Sequence, residues 1–238
     1  TATRELANSS TPHVIVKFSG ADSSTSVRRW SDLLTCESLA LRALTETTSL
    51  PAAPARLLTK ENGRTFLEVE RFDRCGLFGR SELLSLANLN EALVGKSTSS
   101  WPELMADLGR LGLTTPELEA DVQLIWWYGR LIANTDMHQG NLSFRLSRQG
   151  NAKQPLLRLA PVYDMLPMLY APLSGGEVPT REFEVPLPLP RDREVWQAAC
   201  RAALHFWELA SGDAGITREF RTQCSTSKNR LEELAARV

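Results

Sequence analysis

The feature that most limits how this chain can fold is a polar stretch, Asn134-Thr-Asp-Met-His-Gln-Gly-Asn141. It is wedged between an apolar run (residues 124–133) and an alternating segment, Leu142-Ser-Phe-Arg-Leu146. Helix-period apolar residues before it and period-two alternation after it predict a helix that stops, a polar loop and a strand. An aspartate, a histidine and two asparagines crowded into one loop are costly unless each finds water or a partner. Ordinary helix-to-strand loops also favour Asp and Asn, because these side chains bond their own backbone. The stretch therefore gains meaning only from what the rest of the chain brings to it.

What the chain brings is a hairpin. Residues 142–146 and 156–159 read as two strands around a turn at 147–154, and Ala160-Pro-Val-Tyr-Asp-Met-Leu166 follows at once. A hairpin returns its two ends to one another, so Asp164 comes back to the neighbourhood of Asp136 and Asn141. Three oxygen-bearing side chains then converge. Mg²⁺ takes hard oxygen ligands and keeps several waters, so two protein oxygens plus phosphate oxygens suffice for it. In phosphoryl-transfer sites of the kinase type an aspartate accepts the acceptor's hydroxyl proton, and an asparagine five positions on helps hold the metal. Asp136 and Asn141 have that spacing.

Upstream, His13-Val-Ile-Val-Lys-Phe18 reads as a buried strand with Lys17 inside it. A buried lysine is rare without a partner. This one either aims at phosphate oxygens or reaches solvent along its own stem, and the residues alone leave both open. Residues 1–11 read as loose and 19–31 as a polar loop. Residues 32–47 read as a helix capped by Ser31, with Glu37 facing either the lysine or water. Leu50-Pro-Ala-Ala-Pro54 is a rigid connector. Residues 55–59 and 64–72 read as strands joined by a tight turn at Asn62-Gly63. The second strand runs into Glu70-Arg-Phe-Asp-Arg74, which suits either a hinge between two lobes or an ordinary solvated strand exit.

Beyond Cys75-Gly76 the composition turns helical. Helices are predicted over 81–92, over 101–111 with Ser100 as cap and Pro102 in the first turn, and from Thr115-Pro116 to about 133. Two more follow over 193–210 and 216–236, after a proline-rich irregular stretch at 167–190. Trp126, Trp127 and Tyr128 are consecutive, so they pack on two sides of their helix. At 238 residues and 42% apolar, the chain can bury the core of one large domain or of two lobes. A net charge of −1 supplies no basic field for nucleic acid. No apolar run reaches the ~20 residues a membrane span needs, and no secretory signal is visible. Cys36, Cys75, Cys200 and Cys224 form no C-x-x-C pair and do not group with His13, His138 or His205. They read as reduced thiols of a cytoplasmic protein rather than as zinc ligands.

Four motifs taken together carry a resemblance: V-K-F at Lys17, V-E-R-F-D-R at Val69 to Arg74, N-T-D-M-H-Q-G-N at Asn134 to Asn141, and A-P-V-Y-D-M-L at Ala160 to Leu166. In order and separation they are similar to the HipA family, bacterial serine/threonine kinases of type II toxin–antitoxin systems and their relatives. The resemblance implies an α+β, bilobal protein-kinase-like fold, with a small β-rich lobe over residues 1–74 and a larger helical lobe over 75–238. It implies ATP and Mg²⁺ as cofactors. Lys17 would contact ATP phosphates, Glu70 and Phe72 would offer hinge backbone groups to adenine, and Asp73 would reach the ribose. Asp136 would be the catalytic aspartate. His138 and Asn141 would lie at the phosphates and metal, Tyr163 beside the nucleotide, and Asp164 would be the main Mg²⁺ ligand. The implied partners are a protein substrate, of a class that includes aminoacyl-tRNA synthetases, and an antitoxin, with DNA reached only through a partner or a further domain.

Two departures stand out. Gly140 occupies a position where relatives commonly carry a basic residue. The sixteen residues before Lys17 contain no glycine, so the family's phosphate loop is expected upstream of Thr1, where an antitoxin-like or DNA-binding portion would also lie. A kinase-fold binding module with weak catalysis is the alternative, and a small-molecule phosphotransferase ranks third.

Overall fold

A computed structural model describes residues 2–3, 11–61, 63–147 and 156–238, with the backbone alone for 59–61. The strand bearing Lys17 lies in an antiparallel sheet of order β1-β2-β4-β3. Its members are β1 (Ala2–Thr3), β2 (His13–Phe18), β3 (Ala55–Glu61) and β4 (Arg64–Glu70). Register sets Lys17 opposite Leu67 and Val14 opposite Glu70. Gly63, at φ +79°, makes the β3–β4 connection in a conformation that a side chain would strain; Asn62 lies outside the described residues. β2 is less buried than its apolar run predicts. Val14 is fully buried, while Ile15 and Phe18 stay exposed because both border the cleft described below. Of the residues read as a loose start, Ala2 and Thr3 pair with β2; 4–10, with Ser9 and Ser10, lie outside the described residues.

Helix α1 (Thr25–Thr47) begins seven residues before the predicted start, so residues 19–31 are only in part a loop. Ser24 is its cap, its hydroxyl accepting from the Val27 amide at 3.3 Å. Ser31, predicted as the cap, is instead a buried interior residue whose hydroxyl pairs with that of Thr65 at 2.6 Å and ties helix to sheet. α1 belongs to two cores. Leu34 packs with Ala53, Leu67 and Val69 beneath the sheet. Leu33, Cys36, Leu39, Ala40, Ala43 and Leu44 join a much larger helical core.

That larger core is built from α3 (Trp101–Arg110), α4 (Pro116–Leu131), α5 (Arg193–Gly212) and α6 (Arg218–Ala235) packed with α1. The caps read from sequence are present: Ser100 with Glu103 forms a capping box, and Thr115 accepts from the Leu118 amide. Trp127 and Tyr128 are buried and Trp126 packs against Trp101, with ring centroids 5.6 Å apart, so the three aromatics do serve different faces. The Tyr128 hydroxyl donates to the Ala40 carbonyl at 2.7 Å, and Asp32 accepts from both the amide and hydroxyl of Thr217.

The helix predicted over 81–92 is not formed as such. The chain makes β5 (Arg74–Cys75) and β6 (Gly79–Arg80), then β7 (Leu84–Ser85), a one-turn helix α2 (Leu86–Leu89) and a wide π turn (Asn90–Val94) closed by Gly95 at φ +76°. The apolar spacing suited a helix, but Leu84 and Ser85 pair with Phe144 and Ser143 of β8 (Ser143–Ser147). Asn90 turns its amide onto the backbone of Lys96 and the side chain of Gln139, which opens the helical turn. β8 pairs in turn with β9 (Leu156–Leu159), from Ser147 opposite Leu156 to Phe144 opposite Leu159. The predicted turn between them lies outside the described residues from 148 on. After β9 the chain crosses to the rigid connector, where the Ala53 amide donates to Val162 and the Val162 amide to Pro51, each at 2.8 Å. Asp164 thus stands two residues after a bridge to the connector that leads into β3.

Candidate active-site cleft

Three titratable side chains from three elements meet at the centre of a cleft. The Lys17 ammonium, on β2, donates to both oxygens of Glu37 on α1 at 2.7 and 2.8 Å, and to the Asp164 carboxylate. The lysine thus points inward rather than running out along the sheet edge, and Glu37 faces it. Glu37 is 1% exposed. Burial, with repulsion from Asp164, outweighs the pull of Lys17 and pushes its carboxyl up to about 7. For Lys17 burial acts downward, but Glu37 and Asp164 more than offset it, so its pKa lies above the usual value and the ammonium stays charged. Asp164 has φ +54°, in the left-handed region, where residues other than glycine are uncommon and asparagine and aspartate are tolerated best. Its carbonyl accepts from the side-chain Nδ2 of Asn134 at 3.4 Å.

The polar loop after α4 is held by its own asparagines. The Asp136 amide donates to Asn134 Oδ1 at 3.0 Å, and Asn141 Nδ2 donates to the Asp136 carbonyl at 2.9 Å. The backbone of Asp136 is fixed at both ends while its carboxylate stays 53% exposed. His138 Nδ1 accepts from the Gly140 amide at 3.0 Å, and its Nε2 stands 4.0 Å from Asp136 Oδ1. A Cβ on residue 140 would approach the His138 ring to 2.8 Å. Gly140 leaves the room into which that ring folds back toward Asp136. Tyr163 fastens the same loop from the other side: its hydroxyl donates to the Gly140 carbonyl at 2.7 Å and pairs with Ser143 at 2.8 Å.

The cleft has two chambers joined at Lys17, Glu37 and Asp164. One, of about 370 Å³, is lined on its polar side by those three with Asp136, His138 and Asn141. The other, of about 250 Å³, runs to Val69, Glu70, Phe72, Asp73 and Tyr163. Each residue assigned to the site from sequence therefore borders one chamber or both. In the second chamber the Phe72 and Tyr163 rings lie 5.4 Å apart, and the Phe72 carbonyl accepts from Arg145 of β8. The Glu70 amide donates to the Pro54 carbonyl at 2.8 Å. The Asp73 carboxylate is clasped by the Arg71 guanidinium, whose hydrogen bonds hold its pKa below the ordinary carboxylate value.

The donor set facing the first chamber suits a hard divalent cation. Asp164 offers a carboxylate, and Asn141, having used Nδ2, keeps Oδ1 as an acceptor. Among the described residues no group of three or more His, Cys, Asp or Glu forms a metal cage. A cation held here would complete its shell with water and ligand oxygens. Glu37, left open by the sequence, and Asn134 and Trp30, not singled out there, also belong to the site. The available signal was helical: Trp30, Leu34 and Glu37 fall at i, i+4 and i+7 of α1.

Comparison with known proteins bears on this geometry. The HipA-like C-terminal domain family model matches residues 1–238. Toxin YjjJ of Escherichia coli (strain K12) is 37% identical over 226 residues, which is 95% of this chain and 49% of that protein. The chain thus spans about half the length of that curated relative. Among solved structures, a chain of the Shewanella oneidensis MR-1 HipA, HipB and operator DNA complex aligns with a TM-score of 0.57 at 15% identity, covering 86% of this chain and 55% of that one. The Helicobacter pylori proinflammatory kinase CtkA aligns with a TM-score of 0.51 at 13% identity, covering 93% and 88%. At such identities the likeness is one of fold: α+β and kinase-like, with a small sheet part and a larger helical part.

Proposed function

The chain belongs to the HipA-like C-terminal domain family, and from that premise we propose that it is the catalytic part of an ATP- and Mg²⁺-dependent serine/threonine protein kinase of the toxin type. The observation that carries this reading is the Lys17–Glu37–Asp164 cluster at the junction of two chambers, with Asp136 and Asn141 facing the same space. We divide the chain near Arg74 into a sheet part that holds the nucleotide and a helical part that holds the acceptor. Phe72, Tyr163 and the backbone of Glu70 and Phe72 border the chamber sized for a purine. Asp73, already oriented by Arg71, stands at its edge for the ribose. Lys17, steadied by Glu37, draws in the phosphates, with His138 beside them. Mg²⁺, taken by Asp164 and Asn141 with water and phosphate oxygens, would neutralise charge developing on those phosphates.

Asp136 then acts on the acceptor. Its carboxylate orients a serine or threonine hydroxyl and receives its proton as the hydroxyl oxygen bonds to the terminal phosphorus. The bond from that phosphorus to the bridging oxygen breaks, and the diphosphate leaves. Such chemistry is chiefly positioning and electrostatics, which suits a loop whose backbone is held and whose carboxylate is open. A protein substrate of the aminoacyl-tRNA synthetase class and an antitoxin partner come from the family; HipA in the Shewanella complex is accompanied by HipB and operator DNA. The test is transfer of radiolabelled terminal phosphate to protein by the whole protein. Asp136→Ala or Asp164→Ala should lower it by at least about 100-fold, and transfer near the wild-type rate in either would refute these roles. Nucleotide binding with no transfer by the wild type would favour the docking-module alternative.

A further inference from the structure

The larger chamber combines its charged groups with an apolar rim that is partly exposed. Trp30, Leu34 and Glu37 line it from one face of α1, and along that face exposure rises from 1% at Glu37 to 6% at Leu34 and 37% at Trp30. Opposite them, Leu166 and Met168 follow Asp164, and the exposed Phe18 ring follows Lys17. The carboxylates of the lining, Glu37, Asp136 and Asp164, belong to the catalytic and ionic groups already placed. An acceptor hydroxyl placed at Asp136 shares its chamber with an indole, a thioether and a phenyl ring. Aromatic surface left partly open beside a concave site is the usual anchor of a protein contact.

Resting on the kinase reading of this cleft, we propose that the rim is its acceptor-specificity surface. It takes a polypeptide whose serine or threonine is flanked by a large apolar side chain, seated against Trp30 and Met168. A polycationic sugar acceptor would call for carboxylates where Trp30, Phe18 and Met168 stand, so the same surface disfavours the small-molecule phosphotransferase reading.

The test uses the whole protein with Mg²⁺ and a non-hydrolysable ATP analogue. Fluorescent serine peptides carrying Leu or Phe beside the serine, or Gly or Asp there, are compared by anisotropy. The apolar-flanked peptides should bind about tenfold tighter, the scale of one side-chain-sized apolar contact. Trp30→Ala should remove that preference and Trp30→Phe keep most of it. Met168→Gln, on the opposite wall, should weaken it independently. Equal binding of all peptides, no binding of any, or a preference that survives Trp30→Ala overturns the proposal. A preference without phosphate transfer from ATP sinks the kinase reading and leaves this surface standing; transfer without preference does the reverse.

Discussion

The floor of the cleft and the loop that overlooks it are built on opposite terms. At the floor, Lys17, Glu37 and Asp164 are closed on one another and Glu37 is sealed from water. At the loop, the backbone of Asp136 is held by Asn134 and Asn141, yet Asp136 and His138 keep more than half of their side chains in solvent. A site that must hold a highly charged ligand gains from fixed charges arranged beforehand. A site that must admit a protein hydroxyl gains from a group that is positioned but open until the acceptor excludes water. The difference is that of a nucleotide seat and an acceptor seat.

The sharpest way to break that comparison is Asp136→Ala. Phosphoryl transfer should fall by roughly 10²–10⁴-fold, the range for a lost general base. Stability in urea should move by no more than about 0.5 kcal/mol, as for other exposed side chains. A large loss of stability would mean that the loop is structural rather than open. The floor should behave in the contrary way, through pH. Glu37 holds its proton in the folded chain up to about pH 7 but in the unfolded chain only to its ordinary value of 4.5. Between those limits the native state binds the extra proton, so stability falls as pH rises, by about 3 kcal/mol in all, and is flat above. Glu37→Gln, which cannot ionise, should flatten that slope in denaturation curves taken from pH 4.5 to 7.5. An unchanged slope would place the titration elsewhere.

Lys17→Met comes next. It leaves the buried Glu37 without its partner and should lower stability by about 1–3 kcal/mol, with loss of nucleotide binding in a thermal-shift assay. Stability unchanged at pH 7 would show that the floor is not held by its ion pairs. The smallest effect is expected at the link between the two regions. Tyr163→Phe removes the hydroxyl that joins Gly140 and Ser143. It should cost about 1 kcal/mol and slow transfer severalfold, with nucleotide affinity intact. A loss of affinity instead would assign Tyr163 to the floor.

What was legible in the sequence was what is local. The helix that stops before Asn134, the caps at Ser100 and Thr115, and the hairpin that returns Asp164 are each set by residues a few positions apart. The start of α1 was hidden because residues 25–31 are mostly polar. Arg29 is buried there against the Phe220 ring, 4.2 Å from its centroid, and Ser31 finds Thr65 across the sheet, partners that a local pattern cannot show. The stretch 81–92 misled because short apolar spacings serve a helix or a strand edge alike. Within the site, Asp136 and Asn141 announce themselves by spacing. Glu37 and Trp30 do not, since their direction depends on how α1 lies against β2, an outcome of packing.

The central claim is that nucleotide and metal are held at the junction of Lys17 and Asp164. Calorimetric titration of ATP with Mg²⁺ into the whole protein and into its Asp164→Asn variant tests it most directly. Saturable one-site binding by the wild type that requires Mg²⁺ and is lost in the variant is the expected result. No heat of binding in the wild type, or equal affinity in the two proteins, would contradict it.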